Sequence, residues 1–185
     1  MKMLKKLLAV VLTGAMALTL LTACGGNAVN DKNIADAMTD LAKTQNSNAT
    51  FTPRAKEREL ARKFAALAES KAADGKDIFD DDDGETFAAE RKNILGCNQG
   101  DANADNFVWA AGTPTDKLGN SAQAFGFLYQ TVNGEGAENY DDLKDKKEPA
   151  DERYMGTALC KMRDDNGNLV TVRIIVVTAK AVDKK

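Results

Sequence analysis

Apolar positions along the chain change their spacing from one stretch to the next. Leu7 to Leu21 is almost wholly apolar, broken by Thr13, Gly14 and Thr19, and it follows a basic start of Lys2, Lys5 and Lys6. Ile34, Ala35, Ala37, Met38, Leu41 and Ala42 then recur at helical spacing, with Asn30 or Asp31 placed as an N-cap. The polar run Thr44–Thr50 reads as a linker, and Pro53 suits the first turn of a second helix. Leu60, Phe64, Leu67 and Ala68 repeat at i, i+4, i+7 and i+8, an amphipathic stripe that predicts a helix to Ala73, stopped by Asp74-Gly75. Phe79 to Gly84 reads as an acidic loop, Thr86 to Leu95 as a helical turn and a short strand, and Asn98 to Asn106 as a second polar loop.

Beyond the small apolar cluster Phe107-Val108-Trp109, Ser121 is placed to cap a helix carrying Phe125, Leu128, Tyr129 and Val132, closed by Gly134. Gly134 to Ala150 reads as an exposed polar loop. The C-terminal pattern is different in kind. Tyr154–Met162 and Leu169–Thr178 are apolar, β-branched runs joined by Asp164-Asp165-Asn166-Gly167, and Asn-Gly between two such runs predicts a hairpin. Val172, Ile174 and Val176 fall on one face and Ile175 and Val177 on the other, so the last strand is buried on both sides. The expectation is an α+β domain: a three-layer α–β–α sandwich with a C-terminal antiparallel β-hairpin.

The N-terminal pattern carries an address. A basic start, an apolar core too short for a comfortable membrane span and small residues at its end describe a signal peptide. Leu21-Thr22-Ala23-Cys24, with Gly25-Gly26 behind it, resembles the lipobox of bacterial lipoproteins. That resemblance implies cleavage before Cys24, a diacylglyceryl group on its sulfur and acylation of its new N-terminus. It implies a protein outside the cytoplasm, held on a bacterial membrane by its lipid. The expected organisation is a signal peptide over 1–23, a lipidated tether with a short helix over 24–50, and one globular domain over 51–185.

Charge and cysteines follow from the same cut. Removing three lysines from 25 Lys+Arg leaves 22 against 28 Asp+Glu, a net charge of −6. Such a chain without a basic stripe argues against nucleic acid as a partner, and leaves membrane attachment to the anchor. With Cys24 acylated, Cys97 and Cys160 remain. They form a disulfide across a long loop, as an exported chain allows, or stay as two buried thiols acting as small hydrophobes.

The order of the pieces over residues 54–178 resembles a degenerate member of the CAP superfamily of cysteine-rich secretory and antigen 5-type proteins. Lys92-Asn93-Ile94-Leu95-Gly96 stands for its Gly-Glu-Asn-Ile motif, Trp109 for the tryptophan of its Trp-containing helix, and Tyr154-Met155-Gly156-Thr157-Ala158 with Asn166-Gly167 for its closing hairpin. The resemblance implies an α–β–α sandwich. The chain departs from the family in having no histidine and no Gly-Glu ahead of Asn93-Ile94. The two histidines of the family's metal cleft are therefore missing.

The lack of histidine also excludes Ser-His-Asp and Cys-His catalysis and histidine-ligated zinc or non-haem iron. No P-loop, Gly-x-Gly-x-x-Gly or Cys-x-x-Cys is present. Two acidic stretches invite comparison with calcium loops. Asp81-x-Asp83-Gly84 with Glu90 matches part of an EF-hand pattern, with Phe79 where the first ligand belongs. Asp101, Asn103 and Asp105 give alternating oxygen ligands without the closing glutamate; the expectation is solvated turn residues and no cofactor, with weakly bound calcium as the alternative. Trp109 and Phe107, with Asn93, are a candidate ligand cleft. The function expected is a non-catalytic module that binds a small ligand or a protein partner. The alternative is a cell-wall or polysaccharide hydrolase using a carboxylate pair.

Overall fold

A computed structural model describes residues 30–79, 81–115, 120–131, 136–164 and 166–184. The signal segment, Cys24, Val132 and Gly134 lie outside the described residues. The elements in chain order are α1 over 30–44, β1 (Thr50–Pro53), α2 (Ala55–Ala73), α3 (Asp81–Leu95), β2 (Asn106–Pro114), α4 (Asn120–Thr131), α5 (Tyr140–Leu143), β3 (Lys147–Arg163) and β4 (Leu169–Asp183). Four strands form one mixed, mostly antiparallel sheet in the order β1-β3-β4-β2. The hairpin of β3 and β4 is its centre. β2 adds antiparallel to β4, and β1 adds parallel to β3.

The hairpin follows from its sequence. Asp164 turns the chain by accepting hydrogen bonds from the Asn166 and Asn168 backbone N–H groups at 3.0 and 2.7 Å, and Gly167 takes φ +78°, where a side chain would be strained. β4 alternates between two buried clusters. Ile175 and Val177 pack with Phe107, Trp109, Met155, α1 and α4; Ile174 and Val176 pack with Val108, Ala158, α2 and α3. Both faces of β4 are therefore dry, as its continuous apolar run requires.

Several expectations change. The run 44–50 and Pro53 do not lead straight into a helix: Thr50–Pro53 is an edge strand, and Pro53 sits at its end, where a missing donor is tolerated. Of the acidic stretch read as a loop and partial calcium site, Asp80 lies outside the described residues and Asp81 to Gly84 form the first turn of α3, where acidic residues are favoured. Thr86 to Leu95 is wholly helical. The Phe107–Trp109 cluster belongs to β2, so Trp109 is on a strand and not on the helix that the CAP resemblance implies. Gly134 to Ala150 contains α5 and the start of β3, with Ala137 and Asn139 buried. Among the described side chains of α4, Gln123, Ala124, Phe127 and Leu128 are buried, while Phe125 is 54% exposed. That i, i+3, i+4 face leaves position 125 turned off it.

The domain boundary moves as well. α1 is not a tether: Ile34, Ala35, Met38 and Ala42 are fully buried in the first cluster. Side chains of α1 also close open strand edges. Thr39 Oγ1 accepts from the Phe51 N–H of β1 at 3.0 Å. Asp31 Oδ1 accepts from the Thr157 N–H of β3 at 3.1 Å, just past the point where β1 ends. On the opposite edge, Asn139 closes β2, donating to Asn106 O at 2.7 Å and accepting from Val108 N–H at 3.3 Å. Unpaired edge groups invite association with other chains, and here side chains occupy them.

Candidate functional site

The residues singled out in the sequence are spread over the fold. Phe107 and Trp109 are each 1% exposed and stacked, ring centroids 5.9 Å apart, in the first cluster. Asn93 is exposed on the last turn of α3, accepting from Asn98 Nδ2 at 2.8 Å. These are two core residues and one surface residue, and the structure does not bring them together as walls of one opening. Around Trp109 the core is polar in one respect. The Arg153 guanidinium lies 5.5 Å from its ring and 5.7 Å from that of Phe51, and burial pushes the Arg153 pKa down to about 10. It still carries its charge at neutral pH, held over aromatic faces.

The Asp101–Asp105 loop is fastened from within. Asn103 is buried; its Nδ2 donates to Leu95 O at 2.7 Å and its Oδ1 accepts from Lys56 Nζ at 2.7 Å. Asp101 Oδ2 accepts from the Asn98 N–H at 3.1 Å. An ammonium group thus occupies the oxygen that a cation would need from Asn103. Among the described residues no group of three or more acidic or cysteine side chains is arranged to hold a metal ion.

Cys97 and Cys160 are buried as free thiols in the second cluster. Burial, with Glu138 nearby, pushes the Cys97 thiol up to about 11; burial, with Glu69, pushes Cys160 up to about 12. Nucleophilic cysteines need a lowered pKa, so these two are packing residues.

Among the described residues, a cleft and a basin open to the surface. A cleft of about 270 Å³ lies over the outer rows of the sheet, floored by Gly112, Met162 and Val172, with Phe79 as a wall and Asp77, Arg163 and Asp164 among its lining. Gly112 lets the Phe79 ring lie close to the strand: a Cβ would stand 2.9 Å from that ring, which would have to shift. A larger basin of about 710 Å³ is lined by Lys92, Cys97, Asn98 to Asp101, Ala104, Asp105, Asp142 and Leu143. Small-molecule sites have volumes of roughly 300–1,000 Å³ and mostly apolar walls. The cleft has more of the walls and the basin has the size. The basin gathers Asp101, Asp105 and Asp142 but no aromatic side chain.

The best-built polar constellations were not visible in the sequence, and neither is an open site. Asp31, fully buried, accepts from Arg58 Nε at 2.6 Å and from both the N–H and the hydroxyl of Thr157; Arg173 Nη1 donates to that hydroxyl at 3.1 Å and its Nε to Gln123 Oε1 at 2.8 Å. This network ties α1, α2, α4 and the hairpin together. Glu57, also buried, is held by Arg54 and by the Thr178 hydroxyl at 2.8 Å. Apart from Arg54 and Glu57, three residues apart, the partners lie 16 to 126 residues apart and leave no local pattern in the sequence.

Comparison with models of protein families, with curated proteins and with solved structures finds no match for this chain.

Proposed function

We propose that the chain is an acylated lipoprotein of the bacterial cell envelope, whose domain binds a ligand or a protein partner without catalysing a reaction. The observation that carries this reading is Leu21-Thr22-Ala23-Cys24 at the end of a basic-then-apolar leader. Among the described residues no helix is long and apolar enough to cross a membrane; the acyl chains proposed on Cys24 supply the attachment. Two chains on one cysteine suffice, since each buried CH₂ adds about 0.8 kcal/mol. The domain is read as a three-layer α–β–α sandwich, supported by helices that pack into separate clusters with alternate residues of β4.

The absence of histidine and the raised thiol pKa values support binding over catalysis. The basin beside Asn98–Asp105 is its contact surface, suited by Lys92, Asn98, Gln99 and three aspartates to a polar partner. No observation favours the carboxylate-pair hydrolase, because sugar sites need aromatic platforms and the basin has none. The test is incorporation of labelled palmitate in a bacterial host. The wild-type chain takes up label and the Cys24→Ala variant does not; equal labelling of both would refute the reading.

A further inference from the structure

The described residues have three exposed large hydrophobic side chains: Phe125 at 54%, Leu159 at 45% and Leu169 at 64%. Two of them share a surface. Leu159 pairs with Arg173 and Leu169 with Arg163 across the hairpin, with Lys161 and Thr171 paired between them. Successive pairs two residues apart point the same way, so Leu159, Lys161, Arg163, Thr171 and Leu169 occupy one face of the hairpin's outer end. On the opposite face of that end Cys160, Met162 and Val172 are buried in the cluster beneath α2, and Met162 and Val172 floor the cleft beside Phe79. The hairpin therefore projects one half-open face bearing two leucines and two exposed cations.

α1 begins beside this face. Asp31 is bonded to Thr157, two residues before Leu159 on the same side of β3. α4, which carries Phe125, reaches the same place through Gln123 and Arg173, the residue paired with Leu159. Five residues separate Cys24 from Asn30. At a maximum of about 3.6 Å per residue they reach roughly 20 Å. Thr157 to Arg163 along a strand is also about 20 Å. A lipid on Cys24 thus holds the start of α1, and the face next to it, within one short segment of the bilayer.

We propose that this hairpin face, with Leu159, Lys161, Arg163 and Leu169, is a membrane-docking surface that lies against the lipid headgroups and fixes the orientation of the anchored domain. The proposal rests on the acylation of Cys24 proposed above. The leucines enter the headgroup–acyl boundary and the cations meet anionic headgroups. Asp164, at the hairpin's end, is engaged by the N–H groups of Asn166 and Asn168. A weak surface affinity is enough, because the anchor keeps the face at high local concentration. Docking leaves the basin at Asn98–Asp105, which adjoins α5 and the end of α3, open to a partner.

The test uses the acylated full chain in vesicles of phosphatidylethanolamine and phosphatidylglycerol containing brominated lipid, with tryptophan placed by Leu159→Trp, Leu169→Trp or, on the exposed side of α2, Ser70→Trp. Trp109 is buried and serves as common background. The expected result is several-fold stronger bromine quenching in the two hairpin variants than in Ser70→Trp, reduced when Lys161→Glu and Arg163→Glu are added. An acylated chain that floats with the vesicles but shows equal, weak quenching at all three positions overturns the docking surface alone. A chain without lipid that does not float overturns the anchoring reading, and docking with it. Shielding of the hairpin tryptophan that grows with protein concentration in the absence of lipid assigns the face to a second copy and also overturns the proposal.

Discussion

Burying a carboxylate is costly unless its charge and lone pairs are matched, and Asp31 meets that condition by joining three elements. Arg58 supplies the counter-charge and Thr157 two donors. Asp31→Ala leaves Arg58 without its partner and an edge N–H of β3 open, and is expected to lower stability by about 3 kcal/mol in urea unfolding. A loss within experimental error would show that the network is incidental. Gly156 has a stricter requirement. A Cβ there would stand 2.1 Å from Arg58 N, within the backbone of α2. Gly156→Ala must push α2 off β3 and is expected to cost about 3 kcal/mol, read as a lower urea midpoint or as loss of soluble protein.

Glu57 sets a pH dependence. Burial is the largest influence and would raise its pKa, but hydrogen bonds from Arg54 and Thr178 and the Arg54 charge together hold it below the usual carboxylate range. Its contribution to stability is therefore complete above the unfolded-chain value and is lost as pH falls through the folded one. Glu138 runs the other way: burial raises it and Arg91 only partly offsets this, so its contribution weakens as pH rises from the unfolded value toward the folded one. Stability should fall on acidification from about pH 5 to pH 3. Glu57→Gln should flatten that fall; an unchanged slope would contradict the assignment.

At the scale of elements, what the sequence made legible follows from pattern strength. The hairpin was readable because two β-branched runs flank Asn166-Gly167, and α2 because its stripe lasts to Gly75, which takes φ +76°. β1 was not, because four residues ending in proline carry no period and form a strand only against β3. The start of β3 was hidden for a related reason: Lys147–Glu152 is polar and includes Pro149, next to a shift of register. α1 was found as a helix but placed in the tether, since periodicity shows an apolar face and not what covers it. The candidate site was less legible than the fold. Trp109 and Phe107 are apolar whether they line a cleft or fill a core, and the sequence shows only the residue type. The role of α1 has a direct check. A chain beginning at Asn27 should unfold in one cooperative step. A chain beginning at Thr44 loses Asp31, Thr39 and four fully buried side chains, and should be insoluble or lose its cooperative transition. Equal stability of the two would return α1 to the tether.

At the scale of the molecule, moving the domain boundary from residue 51 to about residue 30 changes what anchoring means. A long tether would let the domain sample a wide shell above the bilayer. On the proposed acylation, the five residues after Cys24 would keep it close to the surface, with one side towards lipid and the remainder towards the envelope space. Cleavage before Cys24, as proposed, would give a net charge of −6 and so no attraction of the domain as a whole to anionic lipid, which makes the acyl group the condition for its place at the membrane. The most direct measurement is the mass of the N-terminal peptide of the protein extracted from the membranes of a bacterial host. The account predicts a peptide that begins at Cys24 and carries a diacylglyceryl group. An unmodified N-terminal peptide, whether it begins at Cys24 or elsewhere, would contradict it.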